Sequence, residues 1–510
     1  MKVSVVALFS VLGMGASSAA VAWMTPPDEP APTSPARPGS SDGPTTPPAD
    51  VAAPAWTSTP DEGSPAQLAA AEPLPASFSV PGPLRLDGRL GHAQLPADRA
   101  HETFVLVEVG APEDLAIESR APANVAIVID TSGSMKGKRL DNAKAAARGM
   151  IARLRPDDTI SVVTYSGDAE LLLAPTSVGA LDRFILDRTL GDLRGGGHTC
   201  MSCGVDLARE QLRRRSGAVN RILLLSDGVA NRGMTTTAQF RSLGDAIRSE
   251  RAAVASVGVD LDYDERVLFA LSQASNGHHY FVEDPTGLPE VFDREARNLT
   301  GTVADRVDVD VELAEGVELL EVIARGHRRE GDRVALSFGS FNAGDDKSAL
   351  LRVLVQPGHG DRPVAAVSLA YRDLADGRDQ RAGGELGLRL DPALDVVAEL
   401  DPQVDERLGR KDTLDALLGA NEAFARGDLG AARLELSRAQ STIDTRRRRS
   451  VATPGSAIDN EFEQQLQALN KAQESFDEAE KESPRPASAP RSSKGKKAIR
   501  SNAQAANPFL

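Results

Sequence analysis

The stretch "VAIVIDTSGSMKGKRL", residues 125–140, runs five apolar residues into Asp130 and then sets Ser132 and Ser134 at alternate positions around Gly133. A short, nearly continuous apolar run bounded by turn residues is the pattern of a strand buried on both faces. The chain continues as "KRLDNAKAAARGMIARL", apolar at helical spacing, and then as a second apolar run, "TISVVTY", after Pro156, Asp157 and Asp158. The alternation recurs: "CGVDLAREQLRRR" precedes "RILLLS", "TAQFRSLGDAIRSE" precedes "AAVASVGV", and "ERVLFALSQAS" precedes "HHYFV". Buried strands alternating with amphipathic helices predict a doubly wound, Rossmann-like α/β domain over residues 122–297, with a parallel central sheet covered on both faces. In such sheets ligands bind beyond the carboxyl ends of the strands, where strand order reverses. "DTSGS" lies at one such end, and "LLLSDG" presents Asp227 at another.

The residue types at these ends point to a hard cation. A small dication takes about six oxygen ligands and keeps several waters. Asp130, Ser132 and Ser134 offer one carboxylate and two hydroxyls from a single tight loop, and Asp227 can add a second carboxylate. Between them "GGGHTCMSCG" is a glycine-led loop whose Thr199 can add another hydroxyl, with Ser202 as a neighbour in the same loop. The pattern resembles the metal-ion-dependent adhesion site of von Willebrand factor type A domains: D-x-S-x-S, a threonine in a later loop and an aspartate after a later strand. Asp130, Ser132, Ser134, Thr199 and Asp227 fill those positions in order. The resemblance implies that the hydroxyls hold Mg²⁺ directly, with the aspartates acting directly or through water, and that the cation takes a carboxylate of a partner as its last ligand. Mn²⁺ and Ca²⁺ also accept oxygen ligands.

Cys200 and Cys203 sit in the loop that carries Thr199. In an exported protein such a pair is expected to form a short disulfide; a redox-active pair and a zinc site with His198 are the other readings. Lys136, Lys138 and Arg139 read as a solvated helix face, with an acid-attracting rim as the alternative. Asp260, Asp262 and Asp264 at alternate positions raise a second cation, against which a helix-capping aspartate is the simpler account.

The flanks read as structural. Residues 1–24 have Lys2, an uncharged apolar stretch and an A-x-A spacing at Ala20 and Ala22, the signature of a signal peptide or an N-terminal membrane anchor. Residues 25–75 form a Pro-, Ala- and Ser-rich linker expected to be disordered. A β-rich N-terminal segment is expected over 76–121 and an antiparallel sandwich-like domain over 298–396, the two able to pack as one with the α/β unit inserted. A helical region over 397–482 begins with an amphipathic hairpin joined at Gly427 and Asp428, and a disordered basic tail is expected over 483–510. Arg426, Gly427 and Asp428 are explained by a helix end and a helix cap.

A net charge of -15 and an aromatic content of 4% disfavour nucleic acid as a partner. The expected function is metal-dependent binding of a protein or surface polymer that presents an acidic residue, at a bacterial periplasm or cell surface, with membrane contact only through the N-terminal segment. Two other readings are a metal-dependent hydrolase and a type A subunit working with a separate ATPase. The metal positions hold no general base, which argues against an enzyme. The sequence also has no G-x-x-x-x-G-K-[ST] motif of its own.

Overall fold

The computed structural model describes residues 73–113, 122–213, 218–324, 326–450, 453, 455–483 and 486–506. The expected signal peptide or anchor (1–24) and all but the last three residues of the expected linker (25–75) lie outside them.

Strands β1 (Ser77–Val80), β2 (Arg85–Leu90), β3 (Gln94–Pro96) and β4 (His101–Gly110) open the described chain. The α/β unit follows as β5 (Ala123–Asp130), α1 (Lys138–Arg153), β6 (Thr159–Tyr165), β7 (Ala169–Ser177), α2 (Arg183–Asp192), α3 (Met201–Leu212), β8 (Val219–Ser226), α4 (Thr237–Ser249), β9 (Ala252–Val259), α5 (Glu265–Ala274), β10 (His279–Val282) and α6 (Leu288–Thr300). Its sheet has the order β10-β9-β8-β5-β6-β7. The chain starts at β5, moves outward through β6 and β7, then crosses to β8 and moves outward the other way. Strand order therefore reverses between β5 and β8, at the ends that carry Asp130 and Asp227. All eight residues of β5 and all seven of β6 are buried, so both faces are covered.

One feature departs from the expected parallel sheet. Edge strand β7 runs antiparallel to β6, because Ser166–Asp168 turns the chain at once, with the Ser166 N–H donating to the Asp168 carbonyl at 2.9 Å. A parallel neighbour needs a crossover of a dozen or more residues, so the sheet is mixed.

After α6 come β11 (Thr302–Leu313), β12 (Val317–Ile323), β13 (His327–Glu330), β14 (Arg333–Asn342), β15 (Asp346–Val355), β16 (Gly360–Asp373) and β17 (Asp379–Asp391). They join the N-terminal strands in two sheets, β1-β2-β4-β15-β12 and β13-β14-β11-β16-β17-β3. Val105, Val107 and Val109 of β4 share one core with Val307, Val309 and Val311 of β11 and Leu351 and Val353 of β15. The two flanks thus form a single sandwich into which the α/β unit is inserted. Pairing is antiparallel except between β17 and β3.

The C-terminal region is larger than a hairpin: α7 (Pro402–Ala425), α8 (Leu429–Arg449), α9 (Ala457–Lys481) and α10 (Ser493–Ala506). Gly427, at φ 84, ends α7, and Asp428 caps α8 by accepting the Ala431 N–H at 2.9 Å. Helix α7 docks on the sandwich through Val404 and Leu408 against Leu106 and Leu350, and Phe424 stacks on Phe476 of α9 at 4.2 Å. The expected disordered tail is corrected over α10. Ala498, Ala503 and Ala506 are buried, and the lysines that read as solvent-facing are paired: Lys494 with Glu482 at 2.8 Å, Lys496 with Asp262 at 2.5 Å and Lys497 with Glu283 at 2.6 Å. Among the described residues no helix is long and apolar enough to cross a membrane.

Candidate metal centre

Strand β5 delivers Asp130 fully buried, and the ladder extends one step further as the Thr131 N–H donates to the Tyr165 carbonyl at 2.8 Å. The chain then turns through a short 3-10 segment, Gly133–Met135, and Gly137 at φ 77 admits the start of α1. This folds the loop back on its own aspartate. The Ser132 N–H donates to Asp130 Oδ1 at 2.8 Å, and the Ser132 and Ser134 hydroxyls lie 3.1 Å apart. From β8, the Ser226 hydroxyl donates to Asp130 Oδ2 at 3.1 Å, and Asp227 Oδ1 accepts the Ser134 hydroxyl at 2.6 Å. The pairing of β5 with β8 is what brings residues 130 and 227 together.

Thr199 reaches the same place from the loop before α3. A Cβ added at Gly228 would stand 3.3 Å from Ser134 Oγ and 3.8 Å from Thr199 Oγ1, so both hydroxyls border that glycine. Asn231 fixes the loop by accepting the Thr199 N–H at 2.9 Å, while its own N–H donates to the Thr199 carbonyl at 3.1 Å. Ser202 is engaged elsewhere, since its hydroxyl accepts the Met234 N–H at 3.0 Å. Cys200 and Cys203 are joined in a disulfide at the start of α3, which leaves neither sulfur as a thiolate ligand beside the exposed His198.

The donor set is oxygen throughout: the carboxylates of Asp130 and Asp227 and the hydroxyls of Ser132, Ser134 and Thr199. Burial, with the charge of Asp227 adding to it, pushes the Asp130 carboxyl up to about 6 against the pull of its hydrogen bonds. Burial also raises Asp227, opposed by Ser134 and by Arg139. Two buried carboxylates of like charge with hydroxyls between them fit a small hard dication and no softer metal.

Arg139 belongs to this site, although its charge reads as part of a solvated helix face in sequence. Its guanidinium donates to Asp227 Oδ2 at 3.1 Å and to the Ser134 carbonyl at 3.0 Å, and also pairs with Asp260. Ser226 and Asn231 are two further supporting residues that the motif does not name. Asp260, Asp262 and Asp264 diverge to different partners: Arg139, Lys496 and the Val267 N–H at the cap of α5. The buried His279 faces the Ser256 hydroxyl at 2.9 Å and the Tyr263 hydroxyl at 3.3 Å, well removed in sequence from the site, and burial pushes its pKa down to about 3.

The family model of the von Willebrand factor type A domain matches residues 124–294. The chain is similar to the uncharacterized protein YfbK of Escherichia coli, with 28% identity over 244 residues that make up 47% of this chain and 41% of that protein. It thus spans about two fifths of that relative's length. Among solved structures it is similar to a von Willebrand factor type A protein from Catenulispora acidiphila, with TM-score 0.62 and 18% identity over 79% of this chain and 91% of that one. It is also similar to the ArnB paralog VWA2 from Sulfolobus acidocaldarius, with TM-score 0.56 and 17% identity over 83% and 99%. At these identities the two structures speak for the fold alone, and their coverage extends it beyond the α/β unit. Domains of this family generally hold a divalent metal at an oxygen-lined site of this kind and generally bind protein partners. Residues 124–294 are a von Willebrand factor type A domain, inserted in a β-sandwich that is followed by helices.

Proposed function

We propose that this chain is an exported module that binds a partner protein or surface polymer through a divalent cation, most simply Mg²⁺. The observation that carries the reading is the convergence of Asp130, Ser132, Ser134, Thr199 and Asp227 at the strand ends where β5 and β8 meet. In this reading the three hydroxyls would hold the ion, with Asp130 and Asp227 acting directly or through water. The bound ion would supply an electrophilic position for a carboxylate of the partner. The chain's own residues do the rest. Ser226 and the Ser132 N–H orient Asp130, Asn231 sets the Thr199 backbone, and exposed Lys136 and Lys138 give the rim a positive field that favours an acidic partner. Binding is favoured over hydrolysis because the nearest histidine in sequence, His198, is exposed and has no carboxylate paired with it among the described residues.

The test is calorimetric titration of Mg²⁺ and Mn²⁺ into the metal-stripped full chain, beside an Asp130→Ala, Asp227→Ala double variant. Saturable binding by the wild type that disappears in the folded variant is the expected result. Binding that survives in the variant would place the cation elsewhere, and no binding by the folded wild type would remove the metal-dependent reading.

A further inference from the structure

We propose that the cleft where the type A domain, the sandwich and α7 meet is a binding site for a small polyanion, a molecule carrying two or more phosphate or carboxylate groups. The cleft holds about 710 Å³, within the roughly 300–1,000 Å³ usual for ligand pockets. Its walls come from three places: Arg221 near the amino end of β8 and the segment Asn276–His278 before β10, Lys347 of the sandwich, and Arg407, Arg410 and Lys411 of α7. It therefore lies toward the amino ends of the sheet strands, at the opposite end of the sheet from Asp130 and Asp227.

The charges around it do not cancel. Arg248 is matched by Asp245 at 2.9 Å, Lys411 by Asp415 at 2.7 Å, Arg407 by Glu108 at 2.6 Å and Arg410 by Glu406 at 2.7 Å. Arg221 and Arg241 are left without a carboxylate at ion-pair distance among the described residues, in a chain whose net charge is -15. Of the lining carboxylates, Asp346 reaches Arg85 at 3.4 Å and Asp345 accepts the Asn342 N–H at 2.8 Å.

Arg221 is the second and independent observation. The residue is 4% exposed, and its buried Nε has no hydrogen-bond partner. Such a group is costly to leave unpaired. The buried carboxylate of Glu295 accepts the Tyr280 hydroxyl at 2.5 Å and stands 3.8 Å from His278 of the cleft wall, not at ion-pair distance from Arg221. A guanidinium presents a planar fork of donors that matches phosphate and carboxylate oxygens. An oxyanion between Arg221 and Arg241 would balance the charge of both guanidiniums.

The test is titration of inorganic pyrophosphate and of citrate into the metal-free full chain at constant ionic strength, read by calorimetry and by thermal shift. Saturable binding of at least one anion is expected, unchanged in the Asp130→Ala, Asp227→Ala variant and at least tenfold weaker in Arg241→Ala and in Arg221→Met. Arg241 is exposed, so Arg241→Ala carries the test if Arg221→Met does not fold. A response to pyrophosphate alone would assign a phosphate ligand, and to citrate alone a carboxylate ligand. Absence of binding by either anion, or equal binding by folded Arg241→Ala, would overturn the proposal. Binding lost only in the aspartate variant would return the anion to the metal centre.

Discussion

At the scale of single residues, the centre is governed by how two buried carboxylates are held in check before a cation arrives. Asp130 has its carboxyl at about 6, chiefly through burial, so a proton competes with the cation for it. The apparent affinity of the full chain for Mg²⁺ should be level above about pH 7 and fall by about tenfold per pH unit well below pH 6. Calorimetry at a series of pH values checks this, and a level profile down to about pH 5 would mean that Asp130 is already ionised without metal. Asp227 is held differently, by the guanidinium of Arg139 on one oxygen and the Ser134 hydroxyl on the other. Arg139 is thus a built-in stand-in for positive charge. In Arg139→Ala the metal-free chain should melt earlier and Mg²⁺ should bind several-fold more tightly, because the ion no longer competes with a fixed cation. Weaker binding in that variant would show that Arg139 instead positions Asp227 for the ion.

At the scale of elements, α10 and α5 show a second control. Helix α10 reaches the type A domain through Arg500, whose Nη2 donates to the Tyr263 carbonyl at 2.9 Å and whose guanidinium lies 4.8 Å over the Tyr263 ring. Beside it, Glu265 opens α5. Burial pushes the Glu265 carboxyl up to about 8, with Arg500 pulling down and Asp264 pushing up. Its folded value is therefore above its unfolded value, and the folded state binds the proton more tightly. That contribution to stability is full below about pH 4.5 and is lost as pH rises through about 8. Glu265→Gln should therefore stabilise the chain at pH 8 by on the order of a few kcal/mol and have little effect near pH 4.5, which denaturant melts at the two pH values would check. A chain ended after Ser483 should lose the Arg500 contacts, with proteolysis near residues 260–264 as the readout. Helix α10 was not legible in sequence because its burial rests on alanines and its lysines find partners far along the chain. The loop Asp130–Ser134 was legible because one local stretch holds the strand, the turn and the donors. Arg139 belongs to the same stretch, yet its role was hidden, since its carboxylate partners arrive only through the adjacency of β5, β8 and β9.

At the scale of the whole molecule, the insertion decides which parts can be separated. The type A unit leaves the sandwich after β4 and returns at β11, and both junctions touch the same turn. The Gly344 N–H donates to the Ala111 carbonyl at 3.0 Å, and the Ala343 N–H donates to the Gly301 carbonyl at 3.1 Å. The two ends therefore stand close together, as they must for a domain inserted into another without breaking its sheets. The sandwich core draws on β2 and β4 before the insertion and on β11, β12 and β14 through β17 after it, so the strands from one side alone cannot close it. This continuity could be suspected from the alternating strand patterns on both flanks. The pairing of β4 with β15 could not, because register between distant strands has no local signal. A chain in which residues 114–300 are replaced by a short Gly-Ser linker should keep the sandwich and its docked α7, with a β-rich circular dichroism spectrum and a cooperative melt. It should bind no Mg²⁺ and, without Arg221 and Arg241, no pyrophosphate or citrate. The same excision starting before β4 should fail to fold, because it removes the strand between β2 and β15. If the first excised chain is also unfolded, the type A unit contributes to the sandwich through its interface and the two are one cooperative body.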